Sequence, residues 1–280
     1  MPNIAFVNGR FLPLAKARVS VEDRGFQFGD GIYELIRTYH GRIFHLGEHL
    51  DRMEHSAKAI GLTLVYSRAR WKQILARLGR LSRHPDAKLY IQITRGAAPR
   101  DHAYPRKVRP TVVVTARRLT PLPDAIRRNG VPVITVPDLR WGRCDIKSLN
   151  LLPNIMARQK ARASGAFEAL FVRDGLVLEG AGCNVFAVTG GRIVTPPRGP
   201  GILSGITREQ VIELARAGGG TVIEKDISLT DLMAADELFL TGTTVEILPV
   251  VRVDGKAIGD GRPGAVTFRL HRNFIETTGK

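Results

Sequence analysis

Lys147 and Glu179 are the two residues whose types and settings could do chemistry as a pair. Lys147 lies in RWGRCDIKSLNLLPN, after a short alternating run and before the amphipathic helical pattern LNLLPNIMARQKARA. Glu179 ends the strand-like run FVRDGLVLE, and a glycine-containing turn follows. Taken singly, each has an ordinary reading as a solvated element end or a surface turn residue. Held at two such ends, an amine and an acid could grip the two sides of a small cationic ring. The amine would bond an aldehyde, and the acid would keep a ring nitrogen protonated.

Such a ring needs an anion cradle if it carries a phosphate. Arg52, in EHLDRM, offers a planar fork of donors. Ile206 and Thr207, in SGITREQ, open a helical pattern, where free backbone amides form an anion site and the Thr207 hydroxyl adds a donor. Neither a Rossmann fingerprint nor a phosphate loop ending in GKS or GKT is present.

The elements that must position these residues fall into two groups. Residues 4–12 read as a hairpin turning at Asn8-Gly9, and residues 17–21 as a further short strand. Strand patterns at 32–39, 87–94 and 110–116 surround helical patterns at 45–60 and 67–81. Between the last two strands lies GAAPRDHAYPRKVR, a charged, proline-bearing loop. This predicts a first domain over 1–118, a proline-containing linker over 119–125 and a second domain over 126–280. In the second domain, hairpins are expected around Asp174-Gly175 and Gly190-Gly191, with helices near 148–164, 207–217, 228–234 and 264–276. Many strands with helices outside them point to a two-domain α+β or pseudo-barrel architecture.

Composition narrows the classes. With 280 residues, 44% of them hydrophobic, the chain can bury a substantial core. The net charge of +16 invites a nucleic-acid reading. The basic residues lack a long tract or interleaved aromatics, so a basic surface that favours anionic substrates, or simply solubility, is the better expectation, with no nucleic-acid partner. Cys144 and Cys183 show no zinc-like spacing, so no metal site is expected and both read as reduced thiols of a cytoplasmic protein. No signal peptide and no run long enough to span a membrane is indicated.

The blocks EDRGFQFGDGIYE, EHLDRM, ITRGAAPRDH, RWGRCDIKSLNLLPN, LEGAGCNVF, GITREQVIELA and DELFLTGTTVEILPV follow one another in this chain. In that order they closely resemble the class IV, or fold-type IV, pyridoxal-phosphate-dependent aminotransferases, and most of all the D-amino-acid transaminase branch. The resemblance implies a smaller N-terminal α/β domain and a larger C-terminal pseudo-barrel domain. It implies pyridoxal 5'-phosphate as cofactor, bonded by Lys147, with Glu179 at the ring nitrogen. Arg52, Ile206, Thr207 and Thr243 would hold the phosphate, and Tyr33, Arg100 and His102 the substrate's carboxylate. In the family the loop carrying the last two reaches the other subunit's site, which implies at least a homodimer. The implied reaction is amino transfer between a D-amino acid (D-alanine, D-glutamate) and a 2-oxo acid (2-oxoglutarate, pyruvate).

Branched-chain L-amino-acid transaminases and aminodeoxychorismate lyase share the lysine and the glutamate. Tyr33, Arg100 and His102 are what favour the D-specific branch over them. The chain departs from the family at Ala181, Gly182 and Cys183, where serines or threonines are common, and at Gly242, commonly hydroxylated. Backbone amides of the Gly182 turn are expected to replace some of those contacts. A basic binding protein remains the rival of another class, and it gives no reason for Lys147, Glu179, Arg52 and Thr207 to occur together.

Overall fold

The structure is a computed structural model that describes residues 3–279. The chain forms two compact units. The first runs to Thr120 and adds Ile146–Asn150; the second takes Pro121–Asp145 and continues from Leu151. The five residues around Lys147, expected inside the domain 126–280, therefore pack with the first unit.

In the first unit, β1 (Ile4–Val7) and β2 (Arg10–Pro13) form the hairpin, with Asn8 and Gly9 at positive φ as its turn requires. The strand expected over 17–21 is absent. A 3-10 turn at Leu14–Lys16 precedes it, and Val19 and Val21 are exposed, with no apolar face to join. Next come α1 (Arg24–Phe28), β3 (Gly31–Tyr39), β4 (Arg42–Ile43), α2 (Leu46–Ala59), α3 (Arg68–Ser82), β5 (Ala87–Thr94) and β6 (Thr111–Arg118). The strands make a six-stranded antiparallel sheet in the order β2-β1-β6-β5-β3-β4. Both longer helices lay an apolar stripe on it: Leu50, Met53 and Ala57 from α2, and Trp71, Leu75 and Leu78 from α3. Ser67 caps α3 by accepting from Arg70 N. The stripes meet Phe6, Ile32, Ile36, Leu89, Ile91 and Val114 of the sheet. Each such side chain contributes about 1.5–3 kcal/mol when fully buried.

The second unit continues with α4 (Asp124–Asn129), which starts in the last two positions of the expected linker and runs beyond it, then β7 (Val131–Pro137) and α5 (Leu152–Ala163). A hairpin, β8 (Glu168–Arg173) and β9 (Leu176–Gly180), turns at Asp174-Gly175, both at positive φ. A second, β10 (Asn184–Thr189) and β11 (Arg192–Thr195), turns at Gly190-Gly191. Then follow α6 (Ile206–Ala217), β12 (Val222–Glu224), β13 (Ile227–Ser228), α7 (Leu229–Met233), β14 (Glu237–Gly242), β15 (Glu246–Val253), β16 (Lys256–Ala257) and α8 (Ala265–Thr277). The described strands build a ten-stranded sheet ordered β12-β11-β10-β14-β15-β7-β8-β9-β13, with β16 on β15. The β15–β7, β7–β8 and β11–β12 pairs are parallel and the rest antiparallel.

One side of this sheet buries Val133, Leu170, Val185, Leu240, Leu248 and Val250 together. Across β10 and β14, Phe186 and Phe239 stack with centroids 4.9 Å apart. Among the described residues no helix is long and apolar enough to cross a membrane.

Candidate active site

In the first unit, residues 146–150 run beside the start of β3. Ile32 and Ser148 form an antiparallel bridge, Tyr33 N donates to Lys147 O at 3.0 Å, and Leu149 N donates to Gly31 O at 3.1 Å. From α2, the Ser56 hydroxyl accepts from Lys147 N at 3.1 Å. Position 31 has to be glycine: a Cβ there would lie 2.5 Å from the main-chain oxygen of Ile93. The lysine's main chain is thereby fixed by hydrogen bonds on both sides. Its half-buried side chain puts Nζ 4.3 Å from the Tyr33 ring centroid.

One residue further along β3, Glu34 has no solvent exposure. Its carboxylate accepts from Arg52 Nε at 2.7 Å and Nη2 at 2.8 Å, and lies 2.8 Å from His49 Nδ1. Burial pushes its pKa up, but the Arg52 charge and the hydrogen bonds from Arg52 and His49 outweigh it and hold the carboxyl far below its usual range. Burial depresses the His49 pKa, with Glu34 opposing. Arg52 is thus gripped in plane by an acid that stays ionised.

Arg100 and His102 are exposed on the loop after β5 and share one aromatic anchor. The Arg100 guanidinium lies 4.4 Å from the Phe28 ring centroid, and the His102 ring meets Phe28 edge-on at 5.5 Å. No hydrogen bond or ring contact joins this pair to Tyr33 or Lys147 among the described residues.

In the second unit, Glu179 near the end of β9 is buried. Its carboxylate accepts from Asn184 Nδ2 and Leu203 N, each at 3.1 Å, and pairs with Arg140 Nη1. Arg140 is itself locked. It donates to Asp138 at 2.8 and 3.1 Å and to Gly201 O at 3.0 Å, and it stacks on Phe171 at 4.2 Å. Burial works against the Arg140 charge, but the hydrogen bond to Asp138 and the charge of Glu179 overcome it and raise its pKa. These donors, fixed in geometry, orient the Glu179 carboxylate.

Ile206 and Thr207 are the first two residues of α6, whose N-cap Gly205 offers no side-chain cap, so the helix start keeps its anion-binding character. Thr243 lies in the turn after β14, the strand on which α6 packs. The Thr241 hydroxyl at the end of that strand is buried with no hydrogen-bond partner among the described residues. The positions that depart from the family pattern are neighbours: a Cβ on Gly242 would lie 3.5 Å from Gly182 O and 3.6 Å from Cys183 Cβ. Burial and then Glu168 push the Cys183 thiol well above its ordinary pKa, which makes it inert.

The structure joins Tyr33 to Lys147 and Arg100 to His102, and gives Arg52 and Glu179 partners that sequence reasoning missed. Asn184 stood five residues beyond Glu179 across a turn, and Arg140 and Asp138 opened the lysine stretch as an i, i+2 pair. Glu34 and His49 carried no signal, because an acid in an alternating strand and a histidine on a helix acquire meaning only when packed together.

Each unit carries groups of the kinds pyridoxal 5'-phosphate would use: the first an amine fixed by its backbone, the second a buried, oriented carboxylate and a helix start without a side-chain cap. Comparison with known proteins agrees. The sequence matches the family described as amino-transferase class IV over residues 31–253. It is 45% identical to a D-alanine aminotransferase of Bacillus licheniformis over 98% of both chains. It is 42% identical to a D-alanine aminotransferase of Listeria monocytogenes serotype 4b (strain F2365), over 96% of this chain and 94% of that one. Among solved structures, the Escherichia coli branched-chain amino acid aminotransferase superposes with a TM-score of 0.92 at 28% identity, covering 99% of this chain and 94% of that one. A T.th. branched-chain amino acid aminotransferase with pyridoxamine 5'-phosphate does so with a TM-score of 0.92 at 29% identity and the same coverage. The chain belongs to the class IV aminotransferase family.

Proposed function

We propose that this chain transfers an amino group between a D-amino acid and a 2-oxo acid, with pyridoxal 5'-phosphate as cofactor. D-alanine and D-glutamate are the donors we infer, and pyruvate and 2-oxoglutarate the acceptors. The observation that carries the reading is Glu179, a buried carboxylate paired with Arg140 and aimed by Asn184 and the Leu203 amide. Bound pyridoxal 5'-phosphate supplies an aldehyde that condenses with amines and a ring that takes up the electron pair left at Cα.

Lys147 Nζ would hold the cofactor and, as a free amine, would take the proton from the substrate's Cα. Glu179 keeps a proton on the ring nitrogen. Arg52, the amides of Ile206 and Thr207, the Thr207 hydroxyl and Thr243 bind phosphate oxygens. Tyr33, Arg100 and His102 bind the substrate carboxylate.

The working unit is proposed to be a homodimer in which the Arg100–His102 loop completes the partner's site. Supporting this, the pair makes no hydrogen bond or ring contact with Tyr33 or Lys147 in its own chain among the described residues. In addition, Leu152, Ile155 and Met156 form an exposed apolar row on α5. A cytoplasmic setting is supported by two free, buried thiols.

The second reading, a branched-chain L-amino-acid transaminase, is favoured by the fold likeness to the two branched-chain enzymes. Half-reactions of purified holoenzyme with D-alanine, L-alanine and L-leucine, followed by cofactor absorbance, separate the two. D-alanine is expected to discharge the cofactor band while L-leucine leaves it. A preference for L-leucine would replace the D-specific reading, and borohydride fixation anywhere but Lys147 would end the mechanism.

A further inference from the structure

The loop that carries Arg100 and His102 is held by charged groups that the reaction itself does not require. Arg24, in α1, is 3% exposed. Its Nε donates to Asp30 Oδ2 at 2.7 Å, its Nη1 to Asp101 O at 2.5 Å and its Nη2 to His102 O at 3.3 Å. The same guanidinium lies 4.9 Å from the centroid of Phe28, the ring on which Arg100 and His102 rest. Asp30 is shared, because Arg95 Nε donates to its two oxygens at 2.8 and 3.1 Å. Arg95 then donates to Ile60 O at 2.8 Å and Gly61 O at 3.1 Å, and stacks 3.5 Å from the centroid of Tyr104, two residues beyond His102 in the same loop. Two buried guanidiniums thus hang on one carboxylate, and each clamps main-chain carbonyls.

Taking three such charges out of water is costly, and apolar packing would fix a loop at least as firmly. The clasp does what apolar packing cannot. It fixes the carbonyls of Asp101 and His102 in direction as well as position, and so sets the main chain that carries both exposed cations. It also leaves one net positive charge beneath that loop.

The geometry points to Arg24, braced by Asp30 and Arg95, as a positioning residue that aims the Arg100–His102 pair at the substrate carboxylate and so sets the preference for D- over L-amino acids. This rests on the reading of Arg100 and His102 as carboxylate ligands. Lysine cannot fork between an acid and two carbonyls, so even the conservative replacement should restore function only in part.

The test uses holoenzyme carrying Arg24→Met, Arg24→Lys, Arg100→Ala and the double change Arg24→Met/Arg100→Ala. Arg24→Met is expected to raise KM for D-alanine about tenfold, with kcat within about threefold and the cofactor absorbance unchanged. It should also lower the ratio of D-alanine to L-alanine half-reaction rates, and Arg24→Lys should recover part of both losses. The double variant should be little worse than Arg100→Ala alone, because the two residues act through one contact. Should Arg24→Met not fold, Asp30→Asn loosens the same clasp at nearly constant shape and should shift KM in the same direction.

If Arg100→Ala raises KM and neither clasp variant does, or if the effects simply add, the positioning role is overturned. If Arg100→Ala leaves KM unchanged, the carboxylate reading itself falls and the inference with it.

Discussion

At the level of single residues, Glu34 shows how the aim of Arg52, the arginine proposed for the phosphate, can depend on an acid behind it. It has no solvent exposure and takes both Arg52 Nε and Nη2, so the direction of the arginine fork is set by an acid behind it. Replacing one member of a buried pair leaves the other charge uncompensated, at a cost of about 3–5 kcal/mol. Glu34→Gln should therefore lower the stability of the cofactor-free protein by that order in urea unfolding. It should also weaken pyridoxal 5'-phosphate in a fluorescence titration more than it weakens pyridoxal, which has no phosphate for Arg52 to meet. Equal weakening of the two would show that Glu34 serves the fold alone and does not aim Arg52. Glu34 was illegible in the sequence because it occupies an inward position of β3 between Ile32 and Ile36, where alternation predicts an apolar residue. Lys147 and Glu179 stood out as candidates in the sequence because each stands beside a turn or helix start with a characteristic string around it.

Among the elements, those with strong local signals match their sequence expectation. The hairpins at Asp174-Gly175 and Gly190-Gly191 place positive-φ residues where a tight turn demands them, and α3 opens on its Ser67 cap. What local patterns could not announce is pairing between distant segments. Residues 146–150 join the first unit through bonds to Gly31, Tyr33 and Ser56, far away in sequence. The short helices α1 and α4 were also hidden in the sequence.

The start of α6 shows how closely two elements can be fitted. A Cβ on Gly205, the N-cap, would lie 2.2 Å from Asn184 Oδ1, and Asn184 is the amide that donates to Glu179 and to Leu203 O. The backbone there is ordinary for any residue, with φ of −72°, so the demand for glycine is purely one of space. Gly205→Ala should push Asn184 off Glu179 at a cost of about 1–3 kcal/mol. The visible consequence is a shifted cofactor absorbance band and a weaker hold on the cofactor. A variant with the parent's spectrum and affinity would mean that Asn184 is free to move aside without loss.

For the whole molecule, the balance of buried ion pairs in a chain of net charge +16 sets how it responds to acid. Glu34 and Asp138 are both held below their ordinary pKa. Burial opposes this in each, and Arg52 with His49 in one case and Arg140 with Arg173 in the other overcome it. A carboxyl whose folded pKa is depressed contributes stability that is present above its unfolded value and lost as pH falls through the folded one. His49, depressed by burial from an ordinary 6.5, adds a loss of the same sign that begins below that value, because the folded state resists its protonation. Glu168 works the other way: burial raises its pKa, so the folded state takes up that proton more readily than the unfolded chain. Glu48 and Glu224 are also depressed, but both are largely solvated and their pairs add little. Two buried carboxylates and a histidine against one opposing glutamate give a net loss toward acid, and protonation of surface carboxylates raises a charge that is already positive. Thermal melts of the cofactor-free protein should be level from pH 8 to about 6.5, then fall continuously toward pH 4. Because Glu34 is one of the two buried acids responsible, Glu34→Gln should start from a lower melting temperature at pH 7 and fall less steeply on the same series. A melting temperature flat down to pH 4, or a Glu34→Gln slope equal to the parent's, would mean that these pairs are not what ties the fold to neutral pH.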